Sequence, residues 1–114
     1  MTDCIFCKIV AGDIPADIVH EGERVLAFRD INPQAPTHVQ IIPREHVARI
    51  DEFDAQRDTA WLVELFQAAK HIAEQEGLDK GFRLVINNGA LAGQSVLHVH
   101  LHILGGRGLS WPPG

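Results

Sequence analysis

Cysteine is scarce in this chain, with two residues in 114, both near the start as Cys4-Ile5-Phe6-Cys7. That excludes a secreted disulfide framework and leaves a metal-chelating or redox pair. Positive charge is also in deficit: ten Lys and Arg stand against fifteen Asp and Glu, a formal net charge of −5. No basic field exists for a nucleic-acid backbone or an anionic membrane, so neither partner is expected. No apolar run reaches the roughly 18 residues that a transmembrane helix needs. Met1-Thr2-Asp3-Cys4 carries no basic segment leading into an apolar stretch, so no secretory signal is expected and a cytoplasmic protein is the default. Repeats and low-complexity segments are absent as well.

What is present fits one domain, 1–114, with an ordinary apolar content of 46%. A chain this small has limited core, and a second copy would help it. Ile5, Phe6 and Ile9 recur at helical spacing before Gly12, which predicts a short amphipathic helix. Ile18–His20 and Arg24–Arg29 read as two strands about the turn Glu21-Gly22-Glu23. A loop with two prolines, Asp30 to Thr37, leads to a third strand, His38–Ile42, which Pro43 ends. Leu62, Leu65, Phe66, Ala69, Ile72 and Ala73 recur at three and four residues, predicting one long helix from Asp54 to Gln75. Asp54 is its N-cap and Gly77 its stop. Phe82–Asn87 and Val96–Leu104 complete the strands, around a glycine-containing turn from Asn88 to Ser95. Antiparallel strands with one major helix make an α+β protein.

The chemistry gathers in Leu97-His98-Val99-His100-Leu101-His102-Ile103-Leu104. In an extended strand side chains alternate, so Leu97, Val99, Leu101 and Ile103 are expected on a core face. The three histidines then share the other face, about 7 Å apart per two-residue step. Such a row suits metal binding, proton transfer or attack on an electrophile. Gly93-Gln94-Ser95 lies just before it, a turn whose backbone N–H groups suit phosphate oxygens. Cys4 and Cys7 can share one Zn²⁺, but a structural site needs four ligands, and His46 with one histidine of the row are the available suppliers. The alternative is a pair of reduced thiols without metal. Asp30 is either an ordinary turn residue or a carboxylate for a ribose diol. His20 and His71 follow no pattern and read as structural or solvent-facing.

His98-Val99-His100-Leu101-His102-Ile103-Leu104 resembles the histidine triad signature of the HIT superfamily. Phe28 to His38 resembles the Hint branch, the histidine triad nucleotide-binding proteins. Gly93-Gln94-Ser95 and the tail from Gly105 to Gly114, with Trp111-Pro112-Pro113, do so too. The resemblance spans essentially the whole chain. It implies a five-stranded antiparallel sheet with one long and one or two short helices, and a homodimer that joins two sheets into ten strands. It further implies binding of purine nucleoside monophosphates and hydrolysis of nucleoside phosphoramidates and related adenylates.

Position by position, the resemblance makes His100 the nucleophile and His102 and His38 the phosphate-binding and relay histidines. Asp30 becomes the ribose acid, and Asn87, Gly93, Gln94 and Ser95 surround the phosphate and leaving group. Ile5, Phe6, Ile9, Ile14, Phe28 and Ile31 become the walls of the base pocket. Cys4, Cys7, His46 and His98 become a structural zinc site, with no cofactor required for catalysis. Leu97 stands where many relatives carry an aromatic residue, and Gly108-Leu109-Ser110 departs from the tail of eukaryotic members. Three other readings use the same residues. They are a dinucleoside polyphosphate hydrolase of the Fhit type, a catalytic zinc hydrolase, and a nucleotide-binding scaffold with little turnover. The Trp-Pro-Pro-Gly tail speaks against the first, and the complete triad against the last.

Overall fold

The computed structural model describes residues 3–114; Met1 and Thr2, the head of the expected domain, lie outside the described residues. The chain runs α1 (Ile5–Ala11), β1 (Ile18–Glu21), β2 (Val25–Arg29), β3 (Thr37–Pro43), α2 (Ala55–Gln75), β4 (Phe82–Ile86) and β5 (Leu101–Gly105). Single 3₁₀ turns at Ile50–Glu52 and Ala90–Ala92 complete it. The fold is α+β, as expected. All strand pairs are antiparallel, in the order β1-β2-β3-β5-β4.

The two faces of the sheet are covered differently. Val25, Ala27, Val39, Ile41, Leu101 and Ile103 pack against Trp61, Leu65, Ala69 and Ile72 of α2. The opposite face holds a smaller cluster, Leu26, Phe28 and Ile42, closed by Phe6 of α1. β2 and β3 are therefore buried on both sides, which is why Val25–Phe28 and Ile41–Pro43 are continuously buried. The α1 side of the sheet also carries His102. Phe28, Gln40, His102 and Val85 lie in register across it.

α2 is started by Asp54, whose carboxylate accepts from the N–H groups of Gln56 and Arg57. One turn on, the fully buried Asp58 accepts from the Asp54 N–H, the Arg57 guanidinium and the Trp61 indole. These donors, Arg57 first, hold its carboxyl far below the usual range. At the far end of α2, Glu76 takes a bidentate pair from Arg29 at 2.9 and 3.1 Å. Thr37 adds a third donor. This clamp ties the helix to the ends of β2 and β3, the strands that flank the Asp30 loop. Gly105 permits close packing at the end of β5: a Cβ there would lie 2.7 Å from Leu78.

One strand differs from expectation. The histidine strand begins at Leu101 rather than Val96. A tight turn, with the His98 N–H on the Val96 carbonyl, interrupts the extended chain just before it. Leu97, expected in the core, is 59% exposed, and the alternation holds only from Val99 onward. His98 and His100 thus lie on the approach to the strand, not within it.

Candidate functional site

The three histidines serve two different places, and main-chain partners decide which ring nitrogen each one offers. His98 Nε2 lies 2.8 Å from the Pro43 carbonyl. A carbonyl only accepts, so Nε2 carries the proton and Nδ1 keeps its lone pair. His100 is reversed: Nδ1 lies 2.8 Å from the His98 carbonyl, so Nδ1 donates and, in the neutral ring, Nε2 carries the lone pair. His98 therefore positions its neighbour with its backbone while its ring turns elsewhere.

That ring meets the N-terminal helix. His98 Nδ1 is 3.4 Å from Cys4 Sγ, 3.6 Å from Cys7 Sγ and 3.3 Å from His46 Nδ1. Cys7 Sγ is 3.4 Å from His46 Nδ1, and all four ligand atoms lie within 4.8 Å of one another. Tetrahedral bonds of about 2.3 Å to sulfur and about 2.05 Å to nitrogen require separations of about 3.3 Å between nitrogens and about 3.6 Å between nitrogen and sulfur. The observed spacings match a single tetrahedral ion. The Pro43 carbonyl supplies the outer partner that fixes a metal-binding imidazole. Burial holds His98 neutral, its pKa lowered to about 4. Burial and the adjacent Cys4 push the Cys7 thiol up, so two thiolates here call for a cation. Cys4 also caps α1, accepting from the Cys7 N–H.

The second cluster contains Asp30, His38 and His102, whose ligand-type atoms also lie within 4.8 Å of one another. Its hydrogen bonds favour proton chemistry over metal binding. The Gln34 N–H donates to His38 Nδ1 at 3.0 Å. Neutral His38 therefore carries its proton on Nε2, which faces His102 Nδ1 at 2.9 Å and Asp30 Oδ2 at 3.4 Å. His102 accepts at Nδ1 and so presents Nε2–H. A metal on His38 Nε2 would drive the proton to Nδ1, against the Gln34 N–H. Burial lowers His102 to about 4, with His100 and His38 adding to the effect. Burial also lowers His38, opposed by the Asp30 carboxylate. The pair is neutral at physiological pH. The His100 and His102 rings lie 5.0 Å apart, centre to centre.

Phe6 separates the clusters, edge-on to His98 at 5.9 Å and to His100 at 5.3 Å. It is buried against Phe28 at 5.3 Å, so these two expected pocket walls are largely core. Ile5 is half exposed, Ile9 and Ile14 are partly buried, and Ile31 is fully exposed. Gln94 is buried with its amide engaged: it donates to the Ala48 and Val96 carbonyls and accepts from the Gly89 N–H. It builds the turn that carries exposed Gly93 and Ser95. Asn87 is partly buried at the end of β4.

Sequence reasoning passed over Gln40, whose amide donates to Asp30 Oδ2 at 2.8 Å. Its signal was available, as a polar residue between Val39 and Ile41 in an apolar strand. The Pro43 carbonyl and Gln34 N–H were passed over too, and main-chain partners leave no signal in side-chain identity. His20 and His71 stack loosely at 5.4 Å between β1 and α2, away from both clusters.

The model of the HIT domain matches residues 11–109. A 14 kDa zinc-binding protein of Brassica juncea is 49% identical, over 98% of this chain and 100% of that protein. The crystal structure of a HIT family hydrolase from Legionella pneumophila Philadelphia 1 superposes with a TM-score of 0.95 at 50% identity, covering 98% of this chain and 100% of that one. A histidine triad nucleotide-binding protein from Candida albicans gives 0.83 at 33% identity, over 96% of this chain and 83% of its own.

Proposed function

The chain belongs to the HIT domain family, and we propose that it hydrolyses the P–N bond of purine nucleoside phosphoramidates and related adenylates through a nucleotidyl-histidine. The observation that carries this reading is the unprotonated His100 Nε2, held by the His98 carbonyl beside the neutral His102–His38 pair. A neutral imidazole is a nucleophile at physiological pH. His100 Nε2 attacks the α-phosphorus as the P–N bond to the amine breaks. The amine takes up a proton as it leaves, with Ser95 at the exposed turn beside it, and the histidine becomes a cationic phosphoimidazole. Water then attacks phosphorus, the bond to His100 breaks and its Nε2 regains the lone pair, the proton given up by water replaces the one the amine took, and AMP or GMP leaves. His102 Nε2–H and the Ser95 N–H neutralise the phosphoryl oxygens, whereas the Gly93 and Gln94 N–H groups, expected to face phosphate, are spent on the Ala90 and Gly89 carbonyls. Asp30 keeps one acceptor direction on each oxygen for the ribose diol, after Asn32 N–H and Gln40 take one each. Asn87 flanks the phosphate, and the base lies against Ile5, Ile9, Ile14 and Ile31, with Phe6 and Phe28 behind.

Zinc is the ion for Cys4, Cys7, His46 and His98, where it supplies structural cross-linking and no chemistry to the reaction. The name of the Brassica juncea relative supports that choice. The working form is a homodimer. β4 is an edge strand with Phe82 about half exposed on it, and Val63 and Phe66 are about half exposed on α2. Pairing two such edges about a two-fold axis makes one ten-stranded sheet. A cytoplasmic location fits reduced cysteines; among the described residues no helix is long and apolar enough to cross a membrane.

The test is an adenosine 5′-phosphoramidate of an aromatic amine. AMP release is expected, with a protein adduct heavier by one adenylyl group after rapid acid quench. Inhibition by chelator without any adduct would favour a catalytic zinc hydrolase. Turnover of a diadenosine polyphosphate in preference would favour the Fhit-type reading. Light scattering at micromolar concentration should report twice the chain mass.

A further inference from the structure

Gln40 stands out on the functional face. Along β3 that face carries His38, Gln40 and Ile42, and along β2 it carries Leu26 and Phe28 before Asp30. An apolar residue at position 40 would complete the strand's buried run. Instead an amide sits in register between Phe28 and His102, partly buried, and donates to Asp30 Oδ2 at 2.8 Å. Asp30 is only 14% exposed at its side chain. Its other oxygen accepts the Asn32 N–H at 2.8 Å, inside its own loop. Gln40 is thus the strand-borne donor that anchors a loop carboxylate to the rigid sheet. His38 Nε2 is more distant, at 3.4 Å, and points its proton at His102.

We infer that Gln40 is a positioning residue that sets sugar selectivity, by holding Asp30 so that one lone pair on each oxygen faces a ribose diol. This deepens the nucleotide-hydrolase reading and rests on it. A carboxylate anchored on both oxygens cannot rotate to follow a sugar lacking the 2′-hydroxyl, so one acceptor is then left unpaired. An untethered carboxylate turns toward water and accepts both sugars alike. The effect falls on discrimination between sugars, because His100 and its carbonyl partner are untouched.

The experiment compares adenosine and 2′-deoxyadenosine phosphoramidates, and separately the Kd of AMP and 2′-deoxy-AMP. Gln40→Leu should lower the ribo-to-deoxyribo ratio of kcat/KM by about tenfold, the scale of one charge-assisted hydrogen bond. The change should lie in KM and in the Kd ratio, with kcat for the deoxy substrate within about twofold. Gln40→Glu gives an internal rescue. At high pH its carboxylate repels Asp30 and the ratio should fall. At low pH the introduced carboxyl becomes neutral, donates to Asp30, and the ratio should return toward the parent's. The other titrating groups that face it, His38 on β3 and His102 on β5, act on both substrates alike and cancel in the ratio. Unchanged ratios in Gln40→Leu, with the parent active, would overturn the inference. Absence of turnover in the parent would instead overturn the hydrolase reading, and the two Kd values would still decide the role of Gln40.

Discussion

Two clusters of imidazoles lie on the same side of one sheet, supplied in part by residues 98–102, and they are prepared for opposite chemistry. At Cys4, Cys7, His46 and His98, ligand atoms converge: sulfur and nitrogen atoms face one another at 3.3–3.6 Å. At Asp30, His38 and His102, protons and lone pairs alternate from the Gln34 N–H through His38 to His102. Four ligand atoms gathered this closely could hold a cation. An alternating chain is satisfied as it stands and presents one N–H at its end. Both clusters contain two histidines, completed by two cysteines in one and by Asp30 in the other. Main-chain groups then set the tautomers, the Pro43 carbonyl in one case and the Gln34 N–H in the other. His100 stands between them with its outer nitrogen free.

The largest expected effect separates His100 from both clusters. His100→Ala should reduce phosphoramidate turnover below detection and abolish the adenylyl adduct. AMP affinity should stay within about tenfold, about 1.4 kcal/mol. Metal content should be unchanged, and Tm should fall by several degrees, because the buried ring also meets the Phe6 edge and donates to the His98 carbonyl. Turnover that survived would remove the nucleophile assignment and, with it, the division of labour described above.

Breaking the first cluster should cost stability and spare chemistry. Cys4→Ser removes one of four ligands and the sulfur that caps α1. A site filled a thousandfold above its Kd contributes about 4 kcal/mol, so Tm should fall on the order of 10 °C. Elemental analysis should find near one zinc per chain before and almost none after. Turnover per folded molecule should persist, measured below the lowered Tm. Loss of turnover at full stability would instead make the metal catalytic.

What could be read beforehand divides along the same line. Residue type and spacing singled out Cys4-x-x-Cys7, His46, Asp30 and the alternating row, because side chains that bind ions or protons are few and conspicuous, while His38 came only with the family resemblance. The helix Asp54 to Gln75 was legible from its period and cap, and it runs Ala55–Gln75 with Asp54 capping. The start of β5 was not, since the Val96–His98 turn arises from one backbone hydrogen bond and leaves the alternation of residue types intact. The bidentate Arg29–Glu76 clamp joins residues 47 positions apart and has no local signature. Nor does Asp58, a charged residue fully buried beneath Arg57 and Trp61. Tautomers were equally hidden, because carbonyls and amides are the same at every position.

Acid should weaken the second cluster in a defined window. An unfolded histidine titrates near 6.5, whereas burial holds His102 to about 4 in the fold. Between those values the unfolded chain binds the extra proton, so stability rises with pH there. The contribution is complete above the unfolded value and lost as pH falls through the folded one, by about 2–3 kcal/mol at most. Urea titrations at pH 7 and pH 5 should show the loss. His102→Gln should remove its share of the slope while leaving zinc content unchanged. An unaltered slope would mean that His102 is solvated and does not belong to a buried relay.

The smallest effect tests whether the clusters are as separate as their chemistry. Among the described residues, Phe6 is the aromatic side chain whose ring edge meets both His98 and His100. Each aromatic edge contact contributes about 0.5–1.5 kcal/mol beyond area burial, and Phe6 also packs on Phe28. Phe6→Leu keeps the site apolar and removes the edges, so Tm should drop by several degrees, for about 1 kcal/mol. The ligand atoms stay in place through Pro43 and the helix cap, so zinc affinity should change little. His100 keeps its carbonyl partner but loses one wall, and turnover should fall by a few fold. If zinc affinity and turnover both fell by orders of magnitude, Phe6 would be a mechanical link between the clusters. His98 would then position the nucleophile through its ring as well as its backbone. If neither changed, the backbone alone carries that positioning, and the two clusters share a strand without sharing energy.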